Sequence, residues 1–547
     1  MNRLPNMISA SVYWLSLLAI LLYPFKFFQG FSQVDPLEVI QQPVVFSILF
    51  SVFIASFVLL THLNREKRGV VAFYVLITSL LFGLLTLKME PLGVDHEYGI
   101  TLTDTAYLAI FHHFSQPLPT NVGYLAYPGI SILTYSLASL LQTSYTTSAS
   151  LLQVTLYLLT GSSVYLLSNR AVERRFVSSL SVPLFFAFSL EVGNLTLFFP
   201  AALGITLFSC FLLLLKPPFN RRSIVFATVL FAGMTITHFY DPLDTIFILS
   251  FLALPVFLGR VYPNIRRMLL IFLSMYTAYF VYSATNYFES LVPGVYNTFL
   301  NGLSGDLFGY ASQVVSTNTS GVPAWVAVTE YLDITITSII GGCVALWIVA
   351  TKRREWLRLH TAQSVFAVGS LGVMAFAVMA LLASLGSGGG FDIFIGPQFI
   401  VFFSIPLLLY AVSYNKLLVG LMVVIVIVLC VPSMFVLPYH QISTIAVSPN
   451  EVATTNYFLG YHQGNPSLYT DPKTAGIVGA VNPDITLYYY GEPISSFPYS
   501  ATSYNIVYLP YSYYQQHLYG FGINSGTIWQ HDIVFADGTN FILPPSD

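Results

Sequence analysis

Residues 43–88 read PVVFSILFSVFIASFVLLTHLNREKRGVVAFYVLITSLLFGLLTLK. Two apolar runs, 43–62 and 70–88, stand either side of Asn64-Arg65-Glu66-Lys67-Arg68, and neither carries a charge before Lys88. Each run is about 20 residues long, the length an α-helix needs to cross roughly 30 Å of hydrocarbon. A short Lys/Arg-rich connection between two such runs marks the cytoplasmic side of a membrane. This stretch therefore predicts a helical hairpin whose tip faces the cytosol.

The composition extends that reading to the whole chain. Of 547 residues, 55% are apolar and 8% are charged, with a mean hydropathy of +0.72. Soluble domains carry about 25% charged residues, so a water-soluble fold of this length could not cover its surface. Apolar segments near spanning length recur at 8–28, 126–142, 147–167, 176–190, 196–215, 223–238, 242–259, 268–285, 333–351, 363–384, 392–412 and 416–436. The run at 8–28 has no small-residue cleavage site after it and reads as a first helix, not a removed signal peptide. Cys210, Cys343 and Cys430 all fall in apolar runs, which gives no disulfide framework or metal cluster.

Basic connections occupy 64–68, 169–175, 216–222, 260–267, 352–358 and Lys416. Between the outer loop 89–125 and the inner loop 168–175 lie two apolar segments where parity allows one crossing. The charge-free link from Gln142 to Thr147 resolves this if 126–142 dips in from the outer side without crossing. About 13 transmembrane helices remain, with a cytoplasmic N-terminus and an extracytoplasmic C-terminus, as a multi-pass protein of the plasma membrane. Every Lys and Arg except Lys26, Lys88 and Lys473 then lies inside, and among Asp and Glu only Glu66, Glu173 and Glu355 join them. No charge falls near the middle of a span, which argues against an ion-coupled transporter.

The expected architecture is a transmembrane domain over 1–436, with long outer loops at 89–125 and 286–332. A small extracytoplasmic α/β domain follows over 437–547. In that tail, Ser448 or Asn450 caps a helix over 449–459, Ser467–Thr470 reads as a strand, Asp471–Ala480 as a helix, and 487–490 and 505–513 as Tyr-rich strands.

The loop at 89–125 is the richest in chemistry: Asp95-His96-Glu97-Tyr98, then Asp104, His112-His113 and Pro117-Leu118-Pro119. Over 103–115, Leu108, Phe111 and Phe114 line one side of an amphipathic helix suited to the outer interface. Tyr127-Pro128-Gly129 opens the next apolar segment, and Thr237-His238-Phe239-Tyr240-Asp241-Pro242-Leu243 closes a helix at an outer turn. The tail begins Ser448-Pro449-Asn450-Glu451 and continues through Tyr469-Thr470-Asp471-Pro472-Lys473-Thr474.

In these five features the sequence resembles the GT-C superfamily of membrane glycosyltransferases, in particular archaeal members related to protein mannosyltransferases and oligosaccharyltransferase catalytic subunits. The resemblance covers most of the chain as a pattern of short motifs. It implies transfer of a sugar from a polyprenyl-phosphate-linked donor, with inversion, to a glycan or protein acceptor of the cell envelope. It implies a carboxylate of the first outer loop as base or metal ligand, with Asp104 foremost, then Asp95 and Glu97, since a carboxylate can accept the acceptor's proton. Tyr127, His238 and Gln398 are the implied substrate-binding residues, and Asp95, His238 and Asp241 the implied metal ligands.

The chain departs from the family in having almost no Lys or Arg on the outer side. Where relatives often show an arginine, it reads Gly396-Pro397-Gln398-Phe399. A bound Mg²⁺ or Mn²⁺ bridging carboxylates and donor phosphate would supply the missing positive charge. Two other readings stand beside this one: a non-catalytic anchor or scaffold for an envelope partner, and a transporter of lipid or solute. No nucleic-acid partner is expected. The bland reading of the loop carboxylates is solvation of an outer loop. That of His238, Asp241 and Asp244 is a polar helix end, since Pro242 is expected to break the helix between them. His112 and His113 fit an interfacial helix, Gly386–Gly390 a loop rather than a phosphate cradle, and Asn318 the better of two glycosylation sequons.

Overall fold

The computed structural model describes residues 3–23, 36–89, 101, 105, 108, 127–172, 174–187, 200–215, 221–258, 263–283, 342–343, 345–347, 350–351, 361–386, 395–426, 457–458, 460, 468–470, 487–489, 504–508, 535–536 and 540–543. Its helices are α1 (Arg3–Leu22), α2 (Pro36–Leu63), α3 (Arg68–Met89), α4 (Gly129–Leu141), α5 (Tyr145–Val172), α6 (Arg175–Ser179), α7 (Ser181–Ala187), α8 (Pro200–Leu214), α9 (Arg221–Thr237), α10 (Tyr240–Leu258), α11 (Pro263–Tyr282), α12 (Ala362–Gly386), α13 (Ile395–Ser413) and α14 (Lys416–Val426). Among the described residues, three stretches are long and apolar enough to cross a membrane: Leu4–Leu22, Arg68–Leu85 and Tyr145–Val172.

The helices are apolar on their outward faces as well as inside. Leu4, Leu15 and Leu22 on α1 and Val225, Phe226 and Val229 on α9 are all more than half exposed. Soluble proteins rarely display such stripes, and a helix that is apolar all round belongs in a membrane or a large core. This is the surface of a helical membrane protein. Inside, close approach depends on small residues, as it does where lipid removes the hydrophobic drive between helices. A Cβ built on Gly83 would lie 3.1 Å from Tyr157 Cβ, and one on Gly161 would press on Ser79, so α3 and α5 pack nearly backbone to backbone. Gly372 of α12 sits likewise on Ile248 of α10, with a built Cβ 3.0 Å from its Cα. Tyr13 of α1 fills the seam with α2 and α3, 4.9 Å from the ring of Phe53, and its hydroxyl pairs with Thr78 Oγ1 at 3.1 Å.

The segment expected to dip without crossing is short. α4 has 13 residues, about 20 Å at 1.5 Å per residue, well below the thickness of the hydrocarbon. It stops at Gln142, whose left-handed conformation (φ 53°) turns the chain. Ser144 Oγ then caps α5 by accepting from the Thr147 N–H at 3.1 Å.

Contacts sort the chain ends as the charges do. Arg170 donates to the Leu213 carbonyl at the end of α8, Arg174 to the Ser413 carbonyl ending α13 at 2.6 Å, and Arg175 to the Glu66 carbonyl after α2 at 3.0 Å. Gln363 reaches the Ala171 carbonyl at 2.6 Å, and Asn64 reaches Asn6. Guanidinium groups suit the carbonyl-rich, negative ends of helices. Replacing Arg174 with Ala is expected to cost about 0.5–1.5 kcal/mol, read as a lower unfolding temperature in detergent. An unchanged temperature would mean that this cap contributes nothing.

The described residues of the tail form a five-stranded mixed sheet, ordered β2-β1-β3-β5-β4. The strands are β1 (Leu468–Thr470), β2 (Leu487–Tyr489), β3 (Tyr504–Tyr508), β4 (Phe535–Ala536) and β5 (Asn540–Leu543). β1 runs parallel to β2 and β3, while β3–β5 and β5–β4 are antiparallel. Parallel neighbours need a crossover between them, which fits an α/β reading. The helix expected over Asp471–Ala480 lies outside the described residues. β4 and β5 were not anticipated. Of the helix expected over 449–459, Tyr457 and Phe458 are helical.

Candidate functional site

Away from the arginine-bound helix ends, two motifs far apart in sequence meet. α9 ends at Thr237, whose hydroxyl bonds the Gly233 carbonyl at 2.6 Å, and the His238 N–H extends the ladder to Met234 O at 2.9 Å. Only His238 and Phe239 separate it from α10. Gly129, the first residue of α4, lies on Thr237 so closely that a Cβ there would come within 3.1 Å of the Thr237 Cα. Any side chain would separate the two motifs. Tyr127 is buried with its ring 6.5 Å from Phe239 and 6.1 Å from Tyr279, and the Tyr276 hydroxyl donates to the Phe239 carbonyl at 3.4 Å.

The helix break expected at Pro242 does not occur. α10 begins at Tyr240, so Pro242 sits in its first turn, where a proline needs no hydrogen-bonded N–H. Asp241 and Asp244 therefore share a face at i,i+3, and their carboxylates interact electrostatically. Asp241 lies in the first turn, where a helix favours negative charge. His238 Nδ1 and Asp241 Oδ2 are 2.7 Å apart; the imidazole side chain is 12% exposed and the carboxylate fully buried. Neither Asp241 Oδ1 nor either oxygen of Asp244 has a hydrogen-bond partner, although both residues are wholly buried. Buried carboxylates left so are costly and cluster at functional sites. Gly204 of α8 makes room for the pair: a Cβ there would land on the Asp241 carboxylate, 2.6 Å from its Cγ.

Thr101 and Thr105, from the loop after α3, reach the same end of the molecule. Ser131 in the first turn of α4 donates to the Thr101 carbonyl at 3.4 Å, and Thr105 donates back to that carbonyl at 2.7 Å. Both threonines are buried. Asp95, Glu97 and Asp104 lie outside the described residues, as do His112, His113 and Asn318. Gln398 falls in the first turn of α13, and its side chain is likewise outside them. The neighbouring Phe399 packs on Phe208 of α8, 4.9 Å between rings.

Of the expected metal ligands, Asp95 lies outside the described residues, while His238 Nδ1 and Asp241 Oδ2 form a hydrogen-bonded dyad. Among the described residues, no group of three or more His, Cys, Asp or Glu side chains gathers as a ligand set. Gly204, which sequence reasoning passed over, is the residue that admits the dyad. Its only signal was a glycine inside an apolar helix, costly there without a packing reason. No family model matches the chain, and a search of curated proteins finds no match. The fold and site define a helical membrane protein with a polar dyad buried at one end of its bundle.

Proposed function

We propose that this chain is a membrane glycosyltransferase that moves a sugar from a polyprenyl-phosphate-linked donor to an acceptor at the outer membrane face. The observation that carries the reading is the meeting of Tyr127-Pro128-Gly129 with Thr237–Asp241, beside Thr101 and Thr105 of the acidic first loop. These are separate parts of the resemblance, and nothing in their sequence separation requires them to touch. A lipid-linked donor reaches such a centre sideways from the bilayer. An acceptor hydroxyl or amide approaches from the aqueous side, and transfer needs a group that takes its proton.

Asp104→Ala and Asp95→Ala test this in cells that make the protein. Loss of surface glycans from either variant, with the protein at normal level in the membrane, is the expected result. Unchanged glycans in both would remove the enzyme reading and leave a scaffold. The buried, unpartnered Asp244 favours a transporter as second reading. Its place in the second turn of α10, away from the middle of the helix, weighs against that.

A further inference from the structure

We propose that His238 is the proton acceptor of the transfer step and that Asp241 is the residue that positions it, which would leave Asp104 and Asp95 the other role the resemblance implies, as ligands of a cation at the donor phosphate; the inference rests on the glycosyltransferase reading above. An ionised carboxylate only accepts hydrogen bonds. The 2.7 Å contact with Asp241 Oδ2 therefore holds the ring proton on Nδ1 and leaves Nε2 as a base. Of the pair, the imidazole is the member with exposed surface, while the carboxylate is sealed beneath it. Such an arrangement, a base oriented by a buried third group, is how weak nucleophiles are activated on many folds. Burial also strengthens the attraction between an imidazolium and the carboxylate, so the charge formed on proton uptake is met by a group already in place.

Among the described residues, few other ionisable groups face the dyad. α12 carries none, α13 has only Tyr410 near its far end and α8 only Cys210. The arginines of α9 and α11, at 221, 222, 266 and 267, lie at the other ends of those helices. The neighbours that remain are Asp244, Tyr240 and, from α11 and the start of α4, Tyr276, Tyr279 and Tyr127. None of these is a cation competing for the Asp241 carboxylate.

In the step itself, the acceptor oxygen or nitrogen forms its bond to the anomeric carbon as its proton passes to His238 Nε2. The bond from that carbon to the phosphate oxygen breaks, and polyprenyl phosphate leaves with the electron pair. The proton then returns to water, regenerating the neutral ring.

The test uses the full chain in native membranes, which supply the acceptors. The probes are short-chain polyprenyl phosphates carrying radiolabelled mannose, glucose or N-acetylglucosamine. His238→Gln should lower the rate by about 10²–10⁴-fold, whereas Asp241→Asn should lower it less, reducing kcat without raising KM for the labelled donor. A second measurement needs no substitution: carbethoxylation of His238 by diethyl pyrocarbonate, followed by peptide mass spectrometry, should track loss of transfer and be slowed by the labelled donor. Transfer that survives complete modification of His238, or a His238→Gln protein with unchanged rate, overturns the proposal alone. No transfer by the unaltered protein with any probe overturns the glycosyltransferase reading and this proposal together.

Discussion

Gly204→Ala is expected to disable the protein although it adds one methyl group. The new Cβ would occupy the position of Asp241 Oδ2, the atom that holds His238. Asp241 is fixed to the first turn of α10, so its carboxylate must rotate away, and the dyad opens. Overpacking a tight site costs about 1–3 kcal/mol, and losing a buried hydrogen bond to a carboxylate costs about 1.5–3 kcal/mol. A loss of roughly 3–5 kcal/mol is therefore expected in reversible unfolding, together with loss of the proposed sugar transfer. Gly204→Ala combined with Asp241→Ala removes the clash and should regain most of the stability without regaining transfer. Strictly additive losses in the double variant would show that Gly204 and Asp241 do not interact.

Gly161→Leu is expected to have the other large effect, on assembly of the bundle. The built Cβ of Gly161 presses on Ser79, 2.9 Å from its Cβ, and comes within 3.0 Å of the Phe186 ring. Three further heavy atoms cannot be placed there unless α3 and α5 separate. Their seam also holds the Gly83–Tyr157 contact and the stacked Tyr157–Phe186 and Phe82–Phe186 rings, at 5.5 and 4.4 Å. Separation forfeits dispersion contacts along the whole seam. A loss of roughly 3 kcal/mol or more follows from overpacking with no route to relaxation, read as loss of the monodisperse fraction in detergent. Gly161→Ala should cost less, and Ser79→Gly should restore it by removing the atoms it meets. Wild-type behaviour of Gly161→Leu would contradict the packing of these two helices.

Membrane character was legible because it depends on run length and charge, which no tertiary contact can override. The two runs of the opening stretch became α2 and α3, although α2 starts at Pro36, before its apolar run. Parity asked only that 126–142 not cross; that its helix is 13 residues long comes from the structure. The registration of distant helices was not legible. Nothing local in Gly204 points to Asp241, because only packing of α8 on α10 brings them together. The helix break expected at Pro242 failed because a proline in a first turn costs no hydrogen bond. That single error hid the shared face of Asp241 and Asp244. The tail strands β2 and β3 were visible as Tyr-rich runs, and β1 as the short strand Ser467–Thr470. β5, whose Ile542 pairs with Ile506 of β3, owes its place to the sheet and not to a strong local pattern.

All of this depends on the His238 end of the bundle lying outside the cell and the arginine-capped end inside. A membrane-impermeant thiol reagent can read that orientation, in a protein whose Cys210, Cys343 and Cys430 are replaced by serine. Tyr282 is 85% exposed on α11, the helix that packs its Phe280 on Phe239, and Lys416 is exposed just after the Ser413 carbonyl bound by Arg174. Tyr282→Cys should react in intact cells and Lys416→Cys only after the membrane is permeabilised. The reverse pattern would put the dyad in the cytosol and contradict the account.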